Sequence, residues 1–176
     1  IQDILYQHIN QLMDATIFGI GLLTPDKNTI DYKLAIENNV RWKPYTRDMS
    51  DKNQLAVWSI DNKKSVLIND VEKESRLYVD ELSNKVEESA RLVDGSKTVN
   101  PQSLIYIPLR VKNKILGIIT VQSYDTQAYD AHHMDMLQTL AAYTSTAIDN
   151  ANAYAKLSEK SLALEDEKIS TNRALE

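Results

Sequence analysis

The apolar positions of this chain change period several times, and each change marks an element. Ile1, Leu5, His8, Ile9 and Leu12 lie on one stripe at helical spacing, with Ile4 and Met13 at its edge. An amphipathic helix is therefore predicted at the start, over residues 1–15. Two runs rich in β-branched residues follow, Thr16–Leu23 and Thr29–Ile36, and the turn formers Pro25, Asp26, Lys27 and Asn28 between them predict a hairpin. Val40–Asp51 is polar, contains Pro44 and reads as a loop. A short helix is expected over Gln54–Asp61, capped by Asp51 or Ser50. Ser65–Asp70 reads as a brief strand. In Val71–Val93 the apolar residues Leu77, Leu82, Val86, Ala90 and Val93 are read as a helix or a helix with an irregular start.

Asp94–Gln102 is rich in turn formers and is expected to be a loop. Two strongly apolar strands come next, joined at Lys112–Asn113–Lys114. Leu104–Leu109 and Ile115–Val121 are apolar on both faces, so both faces of that part of the sheet need cover. Pro108 removes a ladder donor and is expected at an edge, bulge or strand end. Gly117 predicts a bend or a close approach. From Asp130 to the C-terminus there is no glycine or proline. Met134, Leu137, Leu140, Ala141, Ala147, Ile148 and Ala151 form a broad stripe there, with Asp130 as N-cap and His133 at N3. Beyond it Tyr154, Leu157, Ser161, Leu164, Lys168, Thr171 and Leu175 continue at alternating spacings of three and four, the seam of a weak coiled coil.

Composition narrows the function more than it shapes the fold. The 176 residues are 43% hydrophobic and 26% charged, enough for one domain with a long terminal element. A net charge of −5 without a basic block argues against nucleic acid and against direct contact with an anionic membrane. The chain has no cysteine, which removes disulfides, thiolate catalysis and thiolate metal sites. His8, His132 and His133 form no metal-binding pattern. The longest apolar runs fall well short of the ~20 residues that cross a bilayer. Lacking an initial Met and a leader, the sequence reads as a fragment whose membrane segments, if any, lie outside it. No phosphate loop, GxSxG elbow or HExxH occurs, so no catalytic residues are assigned.

Ser103–Tyr154 resembles the closing segment of the GAF domain family: a strand with Pro108–Leu109, a short turn, a strand with central Gly117, Tyr129 near the helix start, and the phrase Ala147–Ile148–Asp149–Asn150–Ala151. Lys63–Val71 is a second match, to the family's short middle strand. The resemblance implies an α/β (α+β), profilin-like fold with a central antiparallel sheet. Its N- and C-terminal helices lie on one face and a small-molecule pocket on the other. The implied division is an N-terminal helix over 1–15, a GAF sensor domain over 16–153 and a signalling helix over 154–176. Without cysteine, covalent bilin attachment and the cysteine-dependent methionine sulfoxide reductase activity known in the family are both excluded. The Asn–Lys–x–Phe–Asp–Glu constellation of cyclic-nucleotide binders is absent, and no histidine suits a haem. No cofactor is expected.

The resemblance further implies a regulatory, non-catalytic sensor in the cytoplasm, or in the cytoplasmic part of a larger membrane-associated protein. It would bind an unidentified small molecule and signal through its C-terminal helix to a fused output domain, that of a histidine kinase or a cyclic-nucleotide-synthesising protein. Its partner would be a second copy, joined through the terminal helices. A ligand-free dimerisation module is the alternative. Trp58, Tyr78, Tyr106 and Gln122 are the candidate ligand-lining residues, expected around a cavity between the sheet and Leu55–Arg91. For Trp58 the competing role is a core anchor, for Tyr78 an exposed helix position. For Tyr106 and Gln122 it is a bond to a water or to a neighbouring backbone group. Arg110 and the His132–His133 pair read as solvated surface.

Overall fold

The computed structural model describes residues 2–83, 94–95 and 99–175. Helix α1 (Gln2–Leu12) leads into β1 (Ile17–Leu23), which pairs with β2 (Thr29–Glu37). Asp26 fixes the turn between the two strands by accepting from Thr24 Oγ1 (2.6 Å) and from the Asn28 N–H (3.0 Å). Asn38 and Asn39 then take left-handed φ values of 50° and 63°, which make a two-residue hairpin turn into β3 (Val40–Arg41). After a break at Lys43–Pro44 the chain resumes along the same edge of β2 as β4 (Tyr45–Asp48). The loop expected over Val40–Asp51 is thus mostly a broken edge strand. Its alternating exposure to water explains why its sequence is polar.

Helix α2 (Leu55–Asn62) has Gln54 at its cap position with no side-chain cap bond, so neither Asp51 nor Ser50 caps it. Asp51 instead accepts from the Asn53 N–H and from Gln54 Nε2. Strand β5 (Val66–Ile68) is followed by α3 (Val71–Glu74) and a 3-10 turn, Ser75–Leu77. No helix runs through Tyr78–Ser83. The helix expected over Val71–Val93 is therefore reduced to these two turns, and its part from 84 to 93 lies outside the described residues. Strands β6 (Ser103–Val111) and β7 (Lys114–Ser123) precede the final helix α4 (Ala131–Ala174). The strand order is β3-β2-β1-β7-β6-β5 with β4 beside β2, and every pairing is antiparallel.

One irregularity decides what each face of the sheet carries. Opposite β1, the register passes from Ile20↔Leu34 to Leu22↔Asp31, so β2 holds one extra residue there. Before this bulge Ile30 and Tyr32 face α2. After it Leu34 and Ile36 face α1 and α4, which leaves Ala35 and Glu37 on the α2 side. The helix-covered core packs Ile9 of α1 and Leu137 and Ala141 of α4 against Phe18, Ile20, Ile105, Ile107, Ile119 and Val121. Each such large side chain contributes about 1.5–3 kcal/mol by leaving water. On the other face Ala56, Val57 and Ile60 of α2 pack on Ile30, Tyr32 and Ile118. Gly117 marks a close approach: a Cβ there would lie 2.0 Å from the carbonyl oxygen of Gly21 in β1. Pro108 sits where β6 has run past the end of β5.

Helix α4 opens on a capping box in which Asp130 accepts from the His133 N–H (3.0 Å) and the Asp130 N–H donates to His133 Nδ1 (3.1 Å). Its 44 residues extend about 66 Å, far beyond the domain. Every described residue from Asn150 onward is exposed. Leu157 is 67% and Leu164 50% exposed, while Leu162 and Ile169, also exposed, lie off the seam expected from the spacing. No described helix is long and apolar enough to cross a membrane.

Candidate functional site

The sheet face under α2 is not fully packed. A cavity of about 480 Å³ opens there, within the ~300–1,000 Å³ range of small-ligand pockets. Its floor follows the strand register. Glu37, Ile17, Gln122 and Leu104 form one cross-strand row, and Ala35, Gly19, Thr120 and Tyr106 form the next. Gly19 keeps the middle of the floor low, since a Cβ there would reach ordinary contact with Thr120 at 3.4 Å. The start of α2, the α3 segment, Leu82–Ser83 and Val99–Gln102 form the surrounding wall, with Trp42, Tyr45 and Arg47 at the β2 edge.

Polar groups in this wall divide into paired and unpaired. Gln122 Nε2 donates to Tyr106 Oη (3.0 Å) and to Thr120 Oγ1 (3.1 Å), and Thr120 Oγ1 donates to the Ile105 carbonyl (2.8 Å). The Tyr45 ring stacks on Tyr32 with centroids 4.8 Å apart, and the Arg47 guanidinium lies 4.8 Å from the Tyr45 centroid. Burial pushes the phenols of Tyr32, Tyr45 and Tyr106 above their ordinary values, so all three stay neutral donors. Glu37 is wholly inaccessible to solvent. Its Oε1 accepts from Tyr124 Oη (2.6 Å) and from the Val99 N–H (3.1 Å), but among the described residues its Oε2 has no partner, nor has the buried Trp42 Nε1. Burial and the neighbouring Glu37 raise the Tyr124 phenol to about 12. Among the described residues no group of three or more His, Asp or Glu could hold a metal ion.

The cavity wall is mechanically joined to α4. Asn69, between β5 and α3, donates from Nδ2 to the Tyr129 carbonyl (2.7 Å) and accepts the Tyr129 N–H on Oδ1 (3.1 Å). Tyr129 is buried, immediately precedes the α4 cap, and donates from Oη to the Asp14 carbonyl (2.6 Å) at the exit of α1. Asp14 in turn accepts from Ser123 Oγ (2.5 Å) at the end of β7.

A sheet with two terminal helices on one face and a roofed cavity on the other is what the resemblance implied, and a direct comparison agrees. A family model described as GAF domain matches residues 1–150. The chain belongs to the GAF domain family. Residue 150 is also where burial of α4 ends. Among solved structures, residues 122 to 287 of a methyl-accepting chemotaxis protein are similar at 14% identity. That match covers 87% of this chain and 88% of that one, with a TM-score of 0.66. The GAF domain of a two-component sensor histidine kinase from Bacillus halodurans is similar at 12% identity, covering 87% and 97%, with a TM-score of 0.59. A type II free methionine-R-sulfoxide reductase from Thermoplasma acidophilum is similar at 14% identity, covering 82% and 87%, with a TM-score of 0.60. At these identities the likeness is one of fold. No curated protein matches the chain by sequence.

Within this GAF domain, Tyr106 and Gln122 line the cavity and touch each other. Trp58 and Tyr78 do not line it. They meet edge to face, centroids 4.8 Å apart, against the neighbouring cluster of Leu55, Val66, Ile68, Val79 and Leu104. Glu37, Trp42 and Arg47 line the site without having stood out in the sequence. The adjacent asparagines 38 and 39 were the available signal, because a two-residue turn there folds Trp42 and Arg47 back along β2.

Proposed function

We propose that this GAF domain is the sensor segment of a cytoplasmic signalling protein. It binds a small molecule in the cavity and passes the resulting change through α4 to an output domain, that of a histidine kinase or a cyclic-nucleotide-synthesising protein. The observation that carries this reading is the 480 Å³ cavity on the α2 face of the sheet, of small-ligand size and lined by polar and aromatic groups, Tyr45, Arg47, Tyr106 and Gln122 among them. The fold shared with a sensor histidine kinase and a chemotaxis protein supports the signalling setting. The Asn69–Tyr129 clasp offers a route from the cavity wall to α4. Leu157 and Leu164, in water on a single helix, are covered if a second copy packs along the seam. Catalysis has no part in this reading.

The alternative, a ligand-free dimerisation module, draws on the mutual pairing of Gln122, Tyr106 and Thr120, which needs no ligand. It leaves the 480 Å³ cavity unexplained. Native mass spectrometry of the purified protein, with thermal denaturation of the wild type and Ala35→Leu, separates the two. The expected result is a bound small molecule, or a metabolite that raises Tm, lost when leucine fills the floor at Ala35. Absence of both, with Ala35→Leu more stable than wild type, would overturn the sensor reading.

A further inference from the structure

The hydrogen-bond donors left open in the cavity gather around one positive charge. In β4, Tyr45 and Arg47 alternate with the exposed Thr46 and Asp48, and both line the cavity. Tyr45 stands opposite Tyr32 and Arg47 opposite Ile30 in the β2 pairing. The Tyr32 ring reaches across β1, where a Cβ on Gly19 would lie 3.7 Å from it and one on Gly21 2.9 Å. Tyr32, Tyr45 and Tyr106 thus pack in one cluster beneath α2. Among the described residues Arg47 has no ion-pair or hydrogen-bond partner, and the hydroxyls of Tyr32 and Tyr45 have none either. Glu37 Oε2 and Trp42 Nε1 are sealed from water, but these two hydroxyls are not. Tyr106 Oη accepts from Gln122 and keeps its own proton to give. The Arg47 charge favours ionisation of all three phenols, yet burial outweighs it and keeps them protonated. Arg47 therefore finds no countercharge among them. Glu37 also acts on Tyr45, more weakly than Arg47 does.

We propose that the cavity binds the carboxylate of a small organic acid, its oxygens meeting the Arg47 guanidinium and the open tyrosine hydroxyls beside it. The proposal rests on the cavity being a ligand site and adds the class of ligand. Contact with the Tyr45 ring, 4.8 Å away, holds the guanidinium in place. A guanidinium presents its N–H donors as a planar fork that matches two carboxylate oxygens, and neutral phenols add O–H donors. Arg47 is the one basic side chain among the described lining residues, so one negative charge is balanced. A second would meet no further cation and would be opposed by Glu37 and Glu72, which favours a carboxylate over a phosphate dianion. An amine would meet donors and a like charge at Arg47.

Three probes of one shape test this: phenoxyacetate, its neutral isostere 2-phenoxyacetamide and the cation 2-phenoxyethylamine. Phenyl phosphate adds a dianion. Binding to the wild-type protein is measured by titration calorimetry and ligand-observed NMR, with Ala35→Leu as the blocked control. Phenoxyacetate is expected to bind about tenfold tighter than the amide, a charge-assisted hydrogen bond against a neutral one, with the amine and phenyl phosphate weaker than phenoxyacetate. Arg47→Gln is expected to bring phenoxyacetate down to the level of the amide, and Arg47→Lys to restore part of the difference. Tyr32→Phe and Tyr45→Phe should each weaken phenoxyacetate roughly two- to tenfold. The comparison among probes on wild-type protein stands even if a variant fails to fold. If the amide or the amine binds as tightly as phenoxyacetate and Ala35→Leu blocks it, the carboxylate assignment is overturned while the cavity remains a ligand site. Tighter binding of phenyl phosphate overturns it in favour of a phosphate. Persistence of the phenoxyacetate preference in folded Arg47→Gln, or phenoxyacetate binding that Ala35→Leu leaves unchanged, also overturns it. So does the lack of saturable phenoxyacetate binding up to about 10 mM. In that case another small molecule found by native mass spectrometry keeps the sensor reading, whereas an empty protein with a more stable Ala35→Leu removes both.

Discussion

Replacing Asn69 by alanine isolates the clasp between the cavity wall and α4. The side chain makes two hydrogen bonds to one residue, donating to the Tyr129 carbonyl at 2.7 Å and accepting the Tyr129 N–H at 3.1 Å. Both are partly buried, so water replaces them incompletely when the amide is removed. Each stranded backbone group costs about 1–3 kcal/mol. Taking the lower half of that range for partial burial, Asn69→Ala should lose about 2–4 kcal/mol, or a fall in Tm of roughly 4–16 °C for a chain of this size. The backbone carbonyl of Asn69, which accepts from Gln127 N–H and Ser103 Oγ, is untouched, so β5 should keep its place. Urea unfolding gives the stability change, and hydrogen exchange gives its location. The Tyr129 amide, protected by Asn69 Oδ1, should exchange faster, together with the first turn of α4. An unchanged urea midpoint together with an unchanged Tyr129 protection factor would refute the clasp.

Elsewhere in the molecule, Gly117→Ala forces a Cβ to within 2.0 Å of the Gly21 carbonyl oxygen between two hydrogen-bonded strands, and should cost about 3 kcal/mol or more in urea unfolding. Burial tends to raise the Asp14 carboxyl, but hydrogen bonds from Ser123 and Thr16 outweigh it and hold the pKa below the ordinary value. The stabilisation is therefore present above the unfolded pKa of about 3.9 and is lost as pH falls through the lower folded value. The advantage of wild type over Asp14→Asn should shrink only below about pH 4; a gap that stays constant from neutral pH down into that range would contradict it. On the proposed pairing of two copies along the seam, Leu157→Glu with Leu164→Glu should convert the dimer to monomer in sedimentation velocity without changing the melting of the globular part, because both leucines are exposed on a single chain; a wild type that is already monomeric would refute the pairing.

The strands β1, β2, β6 and β7 are legible in the sequence because each combines β-branched content with recognisable turn residues. The edge of the sheet is not. Asn38 and Asn39 tolerate left-handed backbone and close a two-residue turn, but the polar residues and Pro44 beyond them read more readily as a loop. Between Val71 and Ser83 the apolar spacing suggests a helix where the chain makes only two short turns. Leu77, one of its markers, is 77% exposed, while Val79 is buried. Trp58 and Tyr78 stand out as aromatics near the expected pocket, yet such rings fill a core as readily as they line a cavity.

Glu37 shows why the site itself was hidden. In Thr29–Glu37 the apolar residues Ile30, Tyr32, Leu34 and Ile36 alternate without a break, so a regular strand would put all four on one face and leave Glu37 on the other with Asp31 and Lys33. Read that way, Glu37 is an acidic residue on a solvated strand end. The extra residue opposite Gly21 splits the set instead, turning Ile30 and Tyr32 toward α2 and Leu34 and Ile36 toward the terminal helices. Only then do Ala35 and Glu37 share a face with Tyr32, and only then does a carboxylate reach the cavity floor. Nothing in the alternation marks where the bulge falls, because either pairing keeps the large apolar side chains buried. What selects it is the tertiary setting. Leu34 and Ile36 complete the core beneath the terminal helices, while Tyr32 finds Tyr45 across the β2–β4 pair. The change of parity that finishes the core therefore also aims Glu37 at the cavity.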